Sequence, residues 1–403
     1  MTRSYLGRTI AAAAAVTAVL AGCSIDGQPS SATLTDPAVQ VDALDTGDYP
    51  TRARAPFGRA VTDPARVEAT RMAQYVLAPF EVNPALTHGQ WPIGEFDDAE
   101  GIGRSVTPAA ADVPANAGFV TGYVTTADNG DANVGAARHL LRHAVLKYRS
   151  PADAAAAAEQ MSTAVARVDK LPIGTLDGAP GTRTVIQDFG ASTAILAVTA
   201  YDSYVFFDQY YGPTTQFRSG ESLVRMANAI TQQKTFIDKF TPTPDGETPL
   251  IDPDALLIYA LPFTAAYLRA NPGSPDRGAV YGPRGIAHTS NDPATDFEVL
   301  TKVGSDATAV ESSAVFRADT AEGARTYVDS FLGSSRAKGW TDADSPPGFP
   351  TATCQKHPTS QAHSCALTVG RYGAQVIGNT TTDAHQQASA QYLILTTADQ
   401  RAP

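Results

Sequence analysis

The sequence predicts an α+β protein of two related domains, each an antiparallel sheet with helices packed on one face. Three observations lead to this prediction. The chain has 403 residues, which suits two domains with their own cores. Hydrophobic residues make up 43% and charged residues 18%, as expected for a folded rather than a disordered chain. One order of elements, strand, helix, hairpin, helix, occurs twice along the chain.

The first 22 residues have the features of a secretory signal peptide. Arg3 and Arg8 precede an apolar run over residues 10–20, which is too short to cross a hydrocarbon core as a helix. The run ends in Leu20-Ala21-Gly22-Cys23, which resembles a bacterial lipobox. In a lipobox the cysteine receives a diacylglyceryl group and becomes the first residue after cleavage. Cys23 is therefore predicted to be the lipid attachment site; the alternative is an ordinary signal peptide with a chance cysteine.

Changes in composition divide the rest of the chain. Residues 23–49 are rich in Ser, Thr, Gly, Pro and Asp without a sustained apolar period, which is typical of a flexible tether. The N-terminal α+β domain is placed at residues 50–240 and the C-terminal one at 253–400. Residues 241–252 between them are rich in proline and poor in apolar residues, so they are predicted to be a linker.

The strand and helix that open the repeated unit align at an offset of 170 residues. Ala144–Lys147 matches Ala314–Arg317, and both are short apolar strands that end in a cation. Ser150 and Thr320 follow at equivalent positions, and both residue types are good helix N-caps. After Thr320 the apolar residues have the spacing i, i+3, i+4, i+7, i+8, which predicts a helix with one apolar face.

Each copy continues with two alternating segments joined by a tight turn, a pattern typical of a β-hairpin. The hairpins are predicted over residues 194–211 and 366–378. A helix is predicted after each hairpin, at residues 222–239 and 383–396.

Three Asp-Pro pairs have the pattern of an N-cap followed by proline in the first helical turn. Asp63-Pro64 is predicted to open one helix. Asp252-Pro253 and Asp292-Pro293 are predicted to open shorter helices at residues 255–261 and 294–302.

Two cysteines remain after Cys23. In an exported protein Cys354 and Cys365 are predicted to form a disulfide across a short polar loop. The alternative is a zinc site that also includes His357 and His363, but the spacing does not match the usual structural zinc patterns. No metal and no other cofactor is predicted.

The sequence contains no motif of a nucleophile elbow, a zinc protease, a P-loop or a dinucleotide fold, and no catalytic residue is predicted. His139 and His143 would share one face of a helix, but flanking arginines would repel a metal ion, so a solvated basic face is expected. Arg284 and His288 lie beside a Gly-Pro turn expected before a strand and are candidate ligand contacts. The alternative is a turn with a hydrogen-bonded histidine, and His385 is expected to have the same structural status.

An aromatic cluster lies between residues 201 and 211. On a strand, Tyr204, Phe206 and Tyr210 would face one side while Phe207 and Tyr211 face the other. The first three are candidate contacts in a groove for a lipid, glycan or peptide. The alternative is that both sets pack, one under a helix and one against the other domain.

Four further segments carry a resemblance to a known family: Leu77–Leu86, Phe240–Pro244, Val280–His288 and Asp383–Leu393. With the lipobox, they resemble actinobacterial lipoproteins, common in mycobacteria and nocardiae, that join an N-terminal domain of unknown function to a related C-terminal domain. The resemblance covers nearly all of the mature chain and implies an envelope lipoprotein without an established activity. In architecture alone, the chain is also similar to extracellular sensor domains of mycobacterial kinases, which combine disulfides with an α/β layer.

Charge and the export signal limit the function classes. The formal charge is −11, so nucleic acid is not expected as a partner. We expect a non-enzymatic binding or accessory module of the cell envelope, anchored through Cys23 at the extracytoplasmic face of the membrane, with a lipid, glycan or peptide ligand. The alternatives are an extracytoplasmic hydrolase that uses His288 and a sensor ectodomain for a membrane partner.

Overall fold

The computed structural model describes residues 34–130, 138–270 and 278–401. These residues belong to one compact unit. The predicted signal peptide, Cys23 and the start of the predicted tether lie outside the described residues. In the described ranges, no helix is both long and apolar enough to span a membrane.

The first half of the chain forms an eight-stranded antiparallel sheet. Its strands are β1 (His88–Gly89), β2 (Gly94–Phe96), β3 (Phe119–Asp128), β4 (Leu140–Tyr148), β5 (Gly174–Thr175), β6 (Thr182–Asp188), β7 (Ser192–Tyr201) and β8 (Tyr204–Pro213). The strand order is β1-β3-β4-β8-β7-β6-β5, and β2 also pairs with β3. The α-helices described in this half are α1 (Pro64–Met72), α2 (Pro79–Val82), α3 (Ala99–Ser105), α4 (Pro108–Ala111), α5 (Pro151–Asp169), α6 (Thr214–Arg218) and α7 (Glu221–Ile237).

The second half forms a seven-stranded antiparallel sheet. Its strands are β9 (Ala279–Tyr281), β10 (Ala307–Val310), β11 (Ser313–Arg317), β12 (Thr341–Ala343), β13 (Thr353–Lys356), β14 (His363–Val369) and β15 (Tyr372–Gly378). The strand order is β12-β13-β14-β15-β11-β10-β9. The α-helices described here are α8 (Ala265–Ala270), α9 (Pro283–Ala287), α10 (Pro293–Lys302), α11 (Ala321–Ala337) and α12 (Thr381–Leu395).

The two sheets share one topology. Read from the other edge, the second sheet runs β9-β10-β11-β15-β14-β13-β12, the same path through its strands as β1-β3-β4-β8-β7-β6-β5 in the first sheet. Helices α5 and α11 follow the equivalent strands β4 and β11, and helices α7 and α12 follow the last hairpins. The prediction of two related α+β units is confirmed.

The predicted N-caps hold the helices as expected. The Ser150 hydroxyl accepts a hydrogen bond from the Asp153 amide at 3.1 Å, and the Thr320 hydroxyl accepts one from the Gly323 amide at 3.0 Å. Asp63 caps α1 and Asp292 caps α10 in the same way.

The helix predicted at residues 255–261 is wrong. The Asp252 carboxylate accepts hydrogen bonds from the amides of Leu256 and Ile258, so it closes a tight loop. Only a single 3-10 turn, Leu257–Tyr259, follows. The capping signal is present, but Ala255 has a positive φ of 49°, so the backbone leaves the right-handed helical region directly after the cap.

Helices cover both faces of each sheet, which adds a second layer to the predicted arrangement. In the first half, α5 packs with Phe207 and Val198 on one face, and α7 packs with Phe206 and Tyr210 on the other. In the second half, α12 and α11 lie on opposite faces. Both faces of these strands carry apolar side chains, so both must be shielded from water.

The predicted tether ends earlier than residue 49. Val39 is buried in the core of the second half, the Leu34 amide donates to the Thr396 carbonyl at 3.0 Å, and the Asp36 amide donates to the Tyr392 hydroxyl at 2.8 Å. Because the segment is polar overall, its composition does not predict that a few apolar side chains pack it against the second half.

Specific polar contacts join the two halves. The Tyr281 hydroxyl of β9 donates to Glu95 of β2 at 2.5 Å, and Arg284 of α9 pairs with Glu81 of α2 at 2.9 Å. Burial and the Glu95 charge raise the pKa of Tyr281, so this hydroxyl keeps its proton and remains a donor.

Candidate functional site

The aromatic residues predicted to line a groove lie in the core. Tyr204, Phe206 and Tyr210 are buried on the α7 face of the first sheet, and Phe207 is buried on the α5 face. The Tyr210 hydroxyl accepts from the Asn83 amide group and bonds to His139 at 2.9 Å. The first set therefore packs under α7, and in the second set Phe207 packs under α5 while Tyr211 is half-buried. The alternative interpretation was correct that these rings pack, but the second set lies under a helix rather than against the other domain.

His143 lies on strand β4 rather than on a helix, and the solvated basic face expected there is wrong. The side chain is 2% exposed. Its ring nitrogens lie 2.6 Å from the Asp208 carboxylate and 2.8 Å from the Gln233 carbonyl oxygen. The Gln233 amide is oriented by a bond to the Tyr75 carbonyl and one from the Leu77 amide, so both His143 nitrogens donate.

The charge state of His143 follows from these contacts. Burial alone lowers the pKa of His143, but the Asp208 carboxylate and the two hydrogen bonds outweigh it and raise the pKa overall. His143 and Asp208 form a buried ion pair beneath α7. His139 lies four residues away on the same chain, about 13 Å at the rise of a strand, too far to share a metal ion.

His288 follows helix α9 and is 1% exposed; the strand expected after its turn is a helix instead. One ring nitrogen donates to the carbonyls of Ala73 and Val76 at 3.2 Å, and the other accepts from the Thr125 hydroxyl at 3.1 Å. Burial and the Arg284 charge lower the pKa of His288 to about 3. His288 is therefore a neutral side chain with a structural role. Because it is buried, it is not open to a substrate, as a catalytic residue would have to be.

The predicted disulfide joins Cys354 of β13 to Cys365 of β14, which face each other in register. The sulfurs are bonded to each other, so they do not serve as zinc ligands. His357 packs against Trp340, and His363 lies beside Thr381. His385 comes near the sulfurs but donates to the Asp344 carbonyl at 2.8 Å.

An open cleft of about 410 Å³ lies over the second sheet, between helices α10 and α11. We call it the α11 cleft. Most of its lining is apolar, and strands β10, β11 and β15 form its floor. Ile377 on this floor is 52% exposed. The ring of Phe316 on β11 packs edge-on against the ring of Tyr327 on α11, with the ring centroids 4.5 Å apart. The characteristic lining residues are Leu300, Ala314, Phe316, Tyr327, Phe331 and Ile377.

Polar groups also line the α11 cleft, among them Ser290, Asp296 and Lys338. The Ser290 hydroxyl donates to the Asp296 carboxylate. Burial raises the pKa of Asp296, the Ser290 hydrogen bond opposes this, and Lys338 lies close enough to lower the pKa as well. Burial and the Asp296 charge raise the pKa of Tyr327, so its hydroxyl stays protonated.

The chemistry of the α11 cleft fits binding better than catalysis. A mainly apolar lining that also holds a carboxylate and an ammonium group near each other suits a molecule with an apolar body and a polar group. Among the described residues that line it, none is His or Cys, and no serine there has a histidine base as partner.

Sequence reasoning missed the α11 cleft because its lining comes from separate elements. The apolar spacing after Thr320 predicts the apolar face of α11 but does not show that part of this face borders a cleft. A signal exists in Gln375 and Ile377, which are two residues apart on β15 and therefore share the face of the sheet that lies under α11.

Two family models match the chain. The model described as Domain of unknown function (DUF7373) N-terminal matches residues 58–251, and the one described as DUF7373 C-terminal matches residues 262–398. Together they span more than half of the chain. No curated protein matches it.

Among solved structures, the extracellular domain of PknH from Mycobacterium tuberculosis aligns with 15% sequence identity. The alignment covers 43% of this chain and 97% of that one, with a TM-score of 0.32. A score this low does not establish a shared fold.

Proposed function

Because this chain belongs to the family that the DUF7373 N-terminal and C-terminal models describe, whose domains have no assigned function, we propose its function from its own geometry. We propose that the protein is a non-enzymatic, lipid-anchored binding module on the extracytoplasmic face of the cell membrane. Its ligand is a small molecule with an apolar body and a polar group.

The α11 cleft is the observation that carries this proposal. The aliphatic and aromatic side chains that line this cleft over the seven-stranded sheet would be costly to leave in contact with water without a ligand to cover them. Asp296 and Lys338, which lie near each other in the lining, can orient a polar group, while Phe316 and Phe331 can contact the apolar part. The signal and lipobox features before residue 24 support the anchored location.

The test compares two substitutions of the same size on helix α11. Ser335 lines the cleft, whereas Ala337 is exposed and outside the lining. Ser335→Phe should fill the cleft, and Ala337→Phe should leave it open. The protein is purified from its own envelope, and native mass spectrometry measures any bound small molecule. In parallel, cis-parinaric acid serves as a fluorescent probe with an apolar chain and one carboxylate.

We expect a bound molecule and saturable probe binding in the wild type and in Ala337→Phe, and at least a tenfold weaker probe affinity in Ser335→Phe. A wild-type protein free of any bound molecule that also fails to bind the probe would overturn the proposal. Equal probe binding in both variants would place the ligand outside the α11 cleft.

A further inference from the structure

The first half contains a second cleft, at the position equivalent to the α11 cleft. It has a volume of about 430 Å³ and lies beside α5, which is equivalent to α11. Val165 of α5 lines one cleft and Ser335 of α11 lines the other, at the repeat offset of 170 residues. We call this second site the α5 cleft.

Strand register builds the floor of the α5 cleft. Arg142 of β4 lies opposite Gln209 of β8, which lies opposite Leu196 of β7, and Leu196 lies opposite Val185 of β6. Facing residues of an antiparallel sheet point to the same side. This row therefore presents a guanidinium and a carboxamide next to one another beneath α5.

Arg142 has no acidic partner among the described residues. One of its terminal nitrogens donates to the Val106 carbonyl at 2.8 Å. Its Nε is buried and has no hydrogen-bond partner in the described part of the chain. Burial lowers the pKa of Arg142, with no nearby carboxylate to oppose it. A guanidinium held in this way is costly unless an anion pairs with it.

Four other lining residues carry side-chain hydrogen-bond donors: Arg104, Thr107, Gln187 and Gln209. Arg104 pairs with Glu100, but no Asp or Glu lines the cleft within the described residues. This is a local exception in a chain with 41 acidic and 30 basic residues. The cleft thus presents the Arg142 guanidinium and several hydrogen-bond donors on a protein whose net charge is negative.

The equivalent α11 cleft has different chemistry. Counting from Tyr204 and Tyr372, which start the last strand of each sheet, Gln209 and Ile377 occupy the same position. The α11 cleft has Asp296 in its lining and no arginine among its described lining residues. The two units retain the cleft and differ in what lines it.

We propose that the α5 cleft binds a small molecule through an oxyanion, a phosphate or a carboxylate, paired with the Arg142 guanidinium and with Gln209. Arginine offers a planar set of donors that matches both anions. This site is separate from the α11 cleft and does not rest on the function proposed for it.

Isothermal titration calorimetry on the mature protein tests this proposal with three probes: inorganic phosphate, glucuronate and neutral glucose. We expect saturable binding of phosphate, glucuronate or both, and none of glucose. The anion that binds identifies the oxyanion class. Arg142→Gln should weaken binding at least tenfold. Arg183→Gln is the matched control, because Arg183 lies on β6 outside the cleft lining and pairs with Glu159 at 3.3 Å.

Two milder variants guard against misfolding of Arg142→Gln. Arg142→Lys keeps the charge but not the planar donor set, and Gln209→Ile introduces the residue found at the equivalent position of the α11 cleft. Each should weaken binding about threefold or more while circular dichroism stays unchanged. The Ser335→Phe variant, altered only in the other cleft, should bind the anion normally.

The proposal is overturned if folded wild-type protein binds neither anion saturably. It is equally overturned if Arg142→Lys and Gln209→Ile bind as tightly as the wild type, or if Arg183→Gln loses binding to the same extent as Arg142→Gln.

Discussion

At the scale of single residues, two buried histidines have opposite charge states. His143 is held as a cation by Asp208, and its pKa is raised. His288 is held neutral by burial and Arg284, and its pKa falls to about 3. Neither position has an unusual sequence signature, because the partners that decide the charge lie on distant segments.

The ion pair of His143 makes a pH-dependent prediction. Its folded pKa lies above the unfolded value of about 6.5, so its stabilising contribution is complete below that value and is lost as pH rises through the folded pKa. Asp208→Asn should bring the pKa of His143 below about 6.5 and reduce the free energy of unfolding by about 3 kcal/mol at pH 6. NMR titration of the imidazole resonances and urea unfolding measure the two effects.

The control for this prediction is His88→Gln, because His88 is exposed. It should change neither the His143 titration nor the unfolding free energy by more than about 0.5 kcal/mol. A His143 resonance that titrates below pH 6 in the wild type would contradict the buried ion pair.

At the scale of elements, local signals were most reliable where a cap and an apolar period occurred together. Ser150 and Thr320 met both conditions and begin α5 and α11. Asp252 is followed by a cap contact but by no sustained helix. Its carboxylate accepts hydrogen bonds from the amides of the loop that follows it. A cap satisfies amides at a helix start, but apolar packing along the following turns maintains the helix.

The equivalent caps should have equivalent energies. Ser150→Ala and Thr320→Ala should each reduce the free energy of unfolding by about 1 kcal/mol, because each removes the acceptor for an N3 amide. Urea unfolding monitored by circular dichroism measures the change.

Thr163→Ala and Thr326→Ala are the matched controls within the same two helices. Their hydroxyls bond to carbonyls of the preceding turn, which already serve the helix, so a loss below about 0.5 kcal/mol is expected. If the cap and control variants lose the same stability, the caps do not anchor these helices.

At the scale of the whole molecule, the two halves are joined into one compact unit. The Tyr281–Glu95 and Arg284–Glu81 contacts cross between them, and residues near Val39 add to the core of the second half. The linker position proposed from composition therefore marks a change of sheet, although the folded unit continues across it.

The anchoring proposal is tested on the whole molecule in its own membrane. Cys23→Ala should move the protein from the membrane fraction to the soluble or secreted fraction, because removal of the acyl chains removes the main membrane contact. Fractionation and immunoblotting measure this shift. A Cys354→Ala/Cys365→Ala double variant should remain with the membrane, and continued anchoring of Cys23→Ala would refute the lipobox interpretation.

The sequence by itself determined the paired α+β units, most helix starts, both hairpins and the disulfide. These features depend on periods of 2 and 3.6 residues, on caps and on the two cysteines that remain when Cys23 is predicted to carry the lipid, which are all local or countable properties. Only the tertiary structure decided that His143 is buried against Asp208 and Gln233, that Tyr210 belongs to the core and that Arg142 faces a cleft. Burial and charge at these positions depend on the register between strands and on helices far along the chain, which no local pattern specifies.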